Sequence, residues 1–182
     1  MSRDTRDLPL AIDLDGTLIR ADIFTRQMLA FAARKPWRLP QLLAWFVNGR
    51  AYVKARLAAY APKPETLPYD ERVLAWLRAE RARGRMIGLA SASDRSVVEA
   101  VAAHVGVFDR VFASDGRINL KSRRKAAALA AAFPQGFVYA GNERADLRVW
   151  EAAACAVLVN CDAALARQCR ARFTIECTFD RA

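Results

Sequence analysis

The stretch Leu8-Pro9-Leu10-Ala11-Ile12-Asp13-Leu14-Asp15-Gly16-Thr17 decides how this 182-residue chain is interpreted. An apolar run that stops at Gly16 is typical of a buried strand feeding a tight turn. Asp13 and Asp15 would lie at the carboxyl end of that strand, the edge where open parallel sheets bind ligands. One carboxylate can attack as a nucleophile while the other exchanges protons, which predicts an enzyme. A turn without chemistry is the alternative interpretation.

Helical and strand patterns alternate in the second half of the chain. Helices are predicted at 69–83, from Ser93 to about His104, at 123–133 and at 145–154, and strands at 86–90, 110–113, 137–140 and 155–159. Ser93 and Ser122 are the predicted N-caps of the second and third helices. This alternation predicts an α/β fold of three layers, a parallel sheet with helices on both faces. Residues 173–179 either add a strand or lie outside the sheet.

Residues 20–65 interrupt this alternation directly after the first strand. Their pattern is helical and amphipathic, with breaks at Pro36 and Pro40 and at Asn48-Gly49. We therefore predict a helical cap inserted into a core that comprises residues 1–19 and 66–182. The cap aromatic residues form either the packing faces of these helices or an apolar rim for a lipid-like partner: Trp37, Trp45, Phe46 and Tyr52.

Composition and charge exclude several classes of protein. Hydrophobic residues make up 54% of the chain, enough to bury a core, yet no apolar run reaches the roughly 18 residues of a membrane helix. Residues 1–7 lack the apolar core of a secretory signal, which predicts a cytoplasmic protein. The single histidine excludes a multi-histidine metal site. Nine Arg or Lys residues and one acidic residue lie between positions 20 and 63, a charge that would attract anionic ligands or surfaces.

The first motif resembles that of the haloacid dehalogenase superfamily of aspartate-nucleophile phosphohydrolases. Three later stretches resemble the other motifs of this superfamily, in the same order: an apolar strand ending in Ser91, a lysine near a helix start (Lys121 or Lys125), and Gly141-Asn142-Glu143-Arg144-Ala145-Asp146. The resemblance covers residues 8–160 and implies a Rossmann-like core of this superfamily with a small inserted cap. Asn142 departs from the usual aspartate, and its neutral oxygen implies weaker metal binding.

The resemblance also implies a Mg²⁺-dependent phosphatase with an aspartyl-phosphate intermediate. Asp13 would be the nucleophile, and Asp15 would protonate the leaving group and then activate water. Phosphate binding is assigned to Thr17, Ser91 and one of Lys121 and Lys125, two candidates between which the sequence does not choose. The implied Mg²⁺ ligands are Asp13, Asp15, Asn142 and Asp146, although Asp146 could instead hold the site in place.

Further runs, among them 89–94, 113–116 and 140–150, resemble the domain of this superfamily that is fused to some bacterial UbiA-like prenyltransferases. This likeness implies a small or prenyl-linked phosphate ester as substrate and a UbiA-like prenyltransferase as partner. It also implies contact with the inner face of the membrane through the basic cap. A catalytically weak domain that binds a prenyltransferase or lipid phosphate is the alternative. Nucleic acid is not an expected partner, since no recognition motif accompanies the arginines.

Overall fold

The predicted strand before Asp13 forms the centre of a six-stranded parallel sheet. A computed structural model describes residues 7–181; residues 1–6, which begin the predicted core range 1–19, and residue 182 lie outside the described residues. The strands are β1 (Leu10–Ile12), β2 (Ile87–Asp94), β3 (Arg110–Ser114), β4 (Val138–Gly141), β5 (Cys155–Val159) and β6 (Ile175–Phe179), in the spatial order β3-β2-β1-β4-β5-β6. Residues 173–179 therefore do add an edge strand.

Helices cover both faces of this sheet, as the alternating pattern predicts. They are α1 (Ile23–Arg34), α2 (Leu39–Phe46), α3 (Arg50–Leu57), α4 (Glu71–Ala82), α5 (Arg95–Val105), α6 (Arg123–Ala132), α7 (Leu147–Trp150) and α8 (Ala163–Arg172). Leu10 and Ile12 of β1 pack with α4 and α5, whereas Ala11 packs on the opposite face with α6, α7 and α8. Successive strand residues point to opposite faces, so one short strand anchors both halves of the core. The three-layer α/β prediction is confirmed.

Some local predictions were wrong. The helix predicted at 145–154 is only the four residues of α7, which follow a 3₁₀ turn at Arg144–Asp146. The Ala154 N–H donates to the Phe137 carbonyl, and this bond draws the segment into the sheet. Asp94, not Ser93, caps α5, and Ser122 precedes α6 without a capping hydrogen bond.

The inserted segment contains three α-helices that pack around an apolar cluster of their own. Phe31, Leu42, Val53 and Leu57 form its buried centre. The Phe31 ring lies 5.5 Å from Trp45 and 5.2 Å from Tyr60, centroid to centroid. The helix breaks fall at Pro36 and at Asn48-Gly49, as predicted, whereas Pro40 lies in the first turn of α2. Trp37 differs from the packing interpretation, because its side chain is 73% exposed.

The segment leaves the core and returns to it at one place. The Arg20 N–H donates to the Pro68 carbonyl (2.8 Å), and the Asp70 N–H donates to the Leu18 carbonyl (2.9 Å). These bonds join the two ends of the segment beside the carboxyl end of β1. The exact cap boundaries, 20 and 65, stay a prediction. Among residues 7–181, no helix combines the length and apolar character needed to cross a membrane.

Candidate active site

The two carboxylates of the first motif lie at the topological switch point of the sheet. Strand β1 pairs with β2 on one side and β4 on the other, and the Asp13 N–H still donates to the Ala140 carbonyl of β4 (2.9 Å). Crevices for ligands form at such switch points because neighbouring connections leave in opposite directions. A cavity of about 400 Å³ lies here, and both Asp13 and Asp15 line it.

The predicted nucleophile, Asp13, forms a buried ion pair with Lys125. Lys125 Nζ lies 2.7 Å from Asp13 Oδ1 and 4.0 Å from Asp146 Oδ1. It also donates to the Tyr139 hydroxyl (2.9 Å), which in turn donates to Asp146 Oδ1 (2.8 Å). Lys121 instead pairs with Glu143 at the rim, 3.0 Å away, and its side chain is half-exposed. Of the two lysine candidates, the structure therefore brings Lys125 to Asp13.

Burial is the largest single influence on both members of this pair, but it decides the direction of the pKa shift only at Asp13. It raises the pKa of Asp13 to about 7; the Lys125 ammonium opposes this rise, and the Asp146 and Asp15 charges add to it. For Lys125, burial opposes the charged form, but the carboxylates of Asp13 and Asp146 outweigh it and raise the pKa. The ammonium is therefore a permanent positive charge beside Asp13, suited to an incoming anion.

Asp15 connects the core to the cap. Its Oδ1 accepts the N–H of Ile23, the first residue of α1 (2.8 Å), and its Oδ2 accepts the Ser93 hydroxyl (3.2 Å). Burial raises the pKa of Asp15, so the proton-carrying form needed by a general acid is favoured. The hydrogen bond from Ser93 to Asp15 was not predicted from the sequence. Its signal was the two-residue spacing from Ser91, which places both side chains on one face of a strand.

Two predicted phosphate-binding residues lie behind the cavity lining. The Thr17 hydroxyl is fully buried and donates to Asn142 Oδ1 (3.2 Å). Ser91 is also fully buried, and its Oγ accepts the Ser93 N–H (3.0 Å). The Thr17 hydroxyl turns toward the loop after β4 and orients Asn142, and its part in phosphate binding stays a prediction.

The loop after β4 is held by Asp146. Its Oδ2 accepts the backbone N–H groups of Asn142 (3.0 Å) and Glu143 (3.1 Å), while Tyr139 occupies Oδ1. Of the two roles considered for Asp146, these bonds favour holding the loop over direct metal binding. Gly16 permits the loop to approach, because its φ is +77° and a Cβ there would collide with the Asn142 amide.

The oxygen donors at the cavity fit Mg²⁺. Asp13 and Asn142 both line it, supplying a carboxylate and an amide oxygen. Mg²⁺ prefers such hard oxygen ligands, keeps several waters and takes further oxygens from a bound phosphate, so few protein ligands suffice. Within residues 7–181, no group of three or more His, Cys, Asp and Glu side chains is placed to hold a metal ion. A Mg²⁺ ion here would therefore be held by Asp13, by the amide of Asn142 and by backbone, water or substrate oxygens.

A parallel sheet lies between two layers of helices, and paired carboxylates lie at its switch point. This combination defines a Rossmann-like α/β enzyme domain. The model of the family described as haloacid dehalogenase-like hydrolase matches residues 10–151. The chain belongs to this hydrolase family.

The chain is also similar to individual proteins and solved structures. The chain is 42% identical over 155 residues to y4nM, an uncharacterized protein of Sinorhizobium fredii; the match covers 85% of this chain but 30% of that protein. A protein of unknown function from Bordetella pertussis Tohama I superimposes with a TM-score of 0.70, at 17% identity over 94% of this chain and 97% of the other. Phosphoserine phosphatase carrying a phospho-aspartyl intermediate analogue superimposes with a TM-score of 0.63, at 13% identity over 96% and 94%. At these identities the structural likeness concerns the fold.

Proposed function

We propose that this domain is a phosphatase that hydrolyses phosphate monoesters through an aspartyl-phosphate at Asp13. The proposal is carried by the position of the Asp13 carboxylate. This group is ion-paired with Lys125, and Asp13 lines the same cavity as Asp15. A buried lysine beside a carboxylate nucleophile reduces its repulsion of an incoming phosphate. The phosphoserine phosphatase structure supports the proposal, because the same fold holds a phospho-aspartyl intermediate analogue in that protein.

Asp13 and Asp15 divide the proposed reaction between them. An Asp13 carboxylate oxygen attacks phosphorus, the bond from phosphorus to the ester oxygen breaks, and Asp15 gives its proton to that oxygen. Asp15 then takes a proton from a water molecule, which attacks phosphorus and releases phosphate as the bond to Asp13 breaks. Each step leaves atoms and charge balanced, and Asp15 regains the proton that it gave.

Asp13 and Asn142 are the side chains that would hold Mg²⁺, together with the backbone carbonyl of Asp15. When bound, the ion would offset the repulsion between the carboxylates and the phosphate. Thr17 contributes by fixing the amide of Asn142 through its hydrogen bond to Oδ1. Because Asn142 adds no negative charge, we expect half-saturation at a higher Mg²⁺ concentration than a carboxylate would give.

The decisive experiment measures phosphate release from p-nitrophenyl phosphate with and without Mg²⁺. Wild-type protein should release phosphate only with the ion, and Asp13→Asn, which preserves side-chain shape, should abolish release. Beryllofluoride with Mg²⁺ should occupy the Asp13 carboxylate in a crystal. Equal rates for wild type and Asp13→Asn across a panel of phosphate esters would favour a weakly catalytic domain that binds a lipid phosphate or prenyltransferase.

For location, we propose that the domain is cytoplasmic and works at the inner face of the membrane. The support is a set of exposed apolar residues on α1, α2 and their flanking turns, here called the cap surface: Leu29, Trp37, Leu39, Leu43, Phe46 and Val47. Exposed Arg34 and Arg38 flank Trp37, the mixture of aromatic and basic side chains that suits an anionic lipid interface. A prenyl-linked phosphate, and a UbiA-like prenyltransferase as partner, would be consistent with this location.

Sedimentation with anionic liposomes tests the cap surface. Wild-type protein should pellet at low salt, and Trp37→Ser combined with Leu43→Ser should reduce the bound fraction severalfold. Ile118→Ser is the control, because Ile118 is another exposed apolar residue but lies outside the cap. No pelleting of wild-type protein at low salt would contradict the membrane proposal without affecting the phosphatase proposal.

A further inference from the structure

Lys54 of α3 is a half-buried cation at the active-site cavity that forms no ion pair with an acidic residue of the described part of the chain. Its Nζ donates to the Ala92 carbonyl of β2 (2.5 Å) and lies 5.6 Å from the centre of the Phe24 ring. Among the described residues, no carboxylate lies within 4.0 Å of this ammonium, although Asp15 and Asp22 influence it electrostatically. Burial lowers the pKa of Lys54. A partly desolvated cation of this kind gains most from an anion that enters the cavity.

Arg50 extends the same positive surface toward solvent. It lies four residues before Lys54, one helical turn away on the same face of α3, and both side chains line the cavity. Arg50 is exposed and forms no ion pair with the acidic residues of the described chain. The other cavity lysines differ, because Lys121 is paired with Glu143 and Lys125 with Asp13.

The cavity is large enough for more than a phosphoryl group. Its volume of about 400 Å³ falls within the range of small-molecule pockets, about 300–1,000 Å³. Lys125 already serves the core side, where the reacting phosphate would lie beside Asp13. Arg50 and Lys54, which form no ion pair within residues 7–181, are therefore placed to meet a different part of a substrate. Asn119, whose buried Oδ1 has no hydrogen-bond partner among the described residues, also lines the cavity and can accept a substrate hydroxyl.

We propose that Lys54 and Arg50 form an anion subsite that selects phosphate monoesters carrying a second anionic group, a carboxylate or another phosphate. The inference rests on the proposed phosphatase activity and adds the class of substrate. Arg50 can pair with either anion through two parallel hydrogen bonds, and the half-buried Lys54 contributes a second, compact positive charge. Binding of the second anion would also hold α3 against β2, next to the catalytic carboxylates.

The test compares substrates that differ only in the second anion. Glycerol 3-phosphate and 3-phosphoglycerate form one pair, and the monophosphate and bisphosphate of 1,3-propanediol form the other. We expect wild-type kcat/KM to favour the doubly anionic member about tenfold in at least one pair, and the favoured pair identifies carboxylate or phosphate. Arg50→Gln and Lys54→Gln should each reduce that preference severalfold, mainly through KM.

Arg56→Gln is the matched control. Arg56 lies on the same helix, is exposed, and donates to the Tyr52 hydroxyl without lining the cavity. It should retain the wild-type preference. An unchanged preference in both Arg50→Gln and Lys54→Gln would overturn the subsite, as would equal losses for singly and doubly anionic substrates, which would assign these cations to the reacting phosphate.

A binding measurement separates failure of the subsite from failure of the phosphatase proposal. Calorimetry on Asp13→Asn compares the affinities for the same substrate pairs in the absence of turnover. Tighter binding of the doubly anionic member, reduced by the added Arg50→Gln change, would support the subsite even if wild-type protein released no phosphate. Equal affinities within each pair would contradict it.

Discussion

Two buried clusters of charge lie at opposite ends of the sheet. At the carboxyl end, Lys125 lies between Asp13 and Asp146. At the amino end, Arg85 lies between Glu80 and Glu176, with Nη1–oxygen distances of 3.0 Å and 2.6 Å. In both clusters, one cation thus lies between two carboxylates of the described residues.

The two clusters differ in their access to a ligand. Both terminal nitrogens of Arg85 bond Glu176, and its Nε donates to the Leu8 carbonyl before β1 (2.8 Å), so this group joins β1, β2 and β6. Asp13, by contrast, lines a cavity beside a second carboxylate. Buried charge by itself therefore does not identify an active site; access to a ligand does. Four predictions test this distinction between a structural and a catalytic cluster.

The largest effect should come from Arg85→Met. It leaves Glu80 and Glu176 without their shared cation, and breaking a buried pair in this way typically costs about 3–5 kcal/mol. We expect the free energy of unfolding in urea to fall by that amount. The kcat of the folded protein on p-nitrophenyl phosphate should stay near the wild-type value, and a large fall would contradict a purely structural role.

Lys125→Met removes the cation of the other cluster. We expect kcat to fall by about 10²–10³-fold, the usual cost of removing one charge-stabilising group from a transition state. Stability should fall less than in Arg85→Met. Burial already raises the pKa of Asp13 to about 7, so this carboxyl can take up a proton instead of staying charged. Paired urea titrations and kinetic assays of the two variants provide the comparison; the opposite order of stabilities would contradict it.

Tyr139→Phe tests how the catalytic cluster is held. The change removes the hydroxyl between Lys125 and Asp146 but keeps the ring, which packs against Trp150. We expect a 10–100-fold loss in Mg²⁺ affinity or kcat, as for other groups that orient metal-binding residues. The Mg²⁺ dependence of the rate separates these two outcomes. A variant that changes only stability would show that Tyr139 serves packing alone.

Asn142→Asp should have the smallest effect. A carboxylate in place of the amide adds a charged oxygen at the cavity, so half-saturation should occur at a severalfold lower Mg²⁺ concentration. Thr17 can still donate to the new side chain, which keeps its orientation. Mg²⁺ titrations of wild type and variant at fixed substrate measure the shift. An unchanged midpoint would mean that Asn142 does not contact the ion.

Local sequence patterns were sufficient for much of the fold. The apolar run before Asp13, the alternation of strands and helices, and the breaks in the cap depend on neighbouring residues, and the structure agrees with them. The shortness of α7 could not be predicted in this way. It goes with a backbone hydrogen bond from Ala154 to Phe137, which lies just before β4 and 17 residues earlier in the chain. The Arg85 cluster was equally hidden, since Glu176 lies 91 residues away in sequence.

The sequence by itself determined that two carboxylates follow a buried strand at the edge where ligands bind, because that pattern spans fewer than ten residues. Tertiary structure alone decided which distant side chains meet them. Lys125 and not Lys121 reaches Asp13 across 112 residues, Ser93 reaches Asp15 across 78, and Thr17 holds Asn142 across 125. These contacts depend on the order of strands in the sheet and on the direction of each side chain, which no local pattern records.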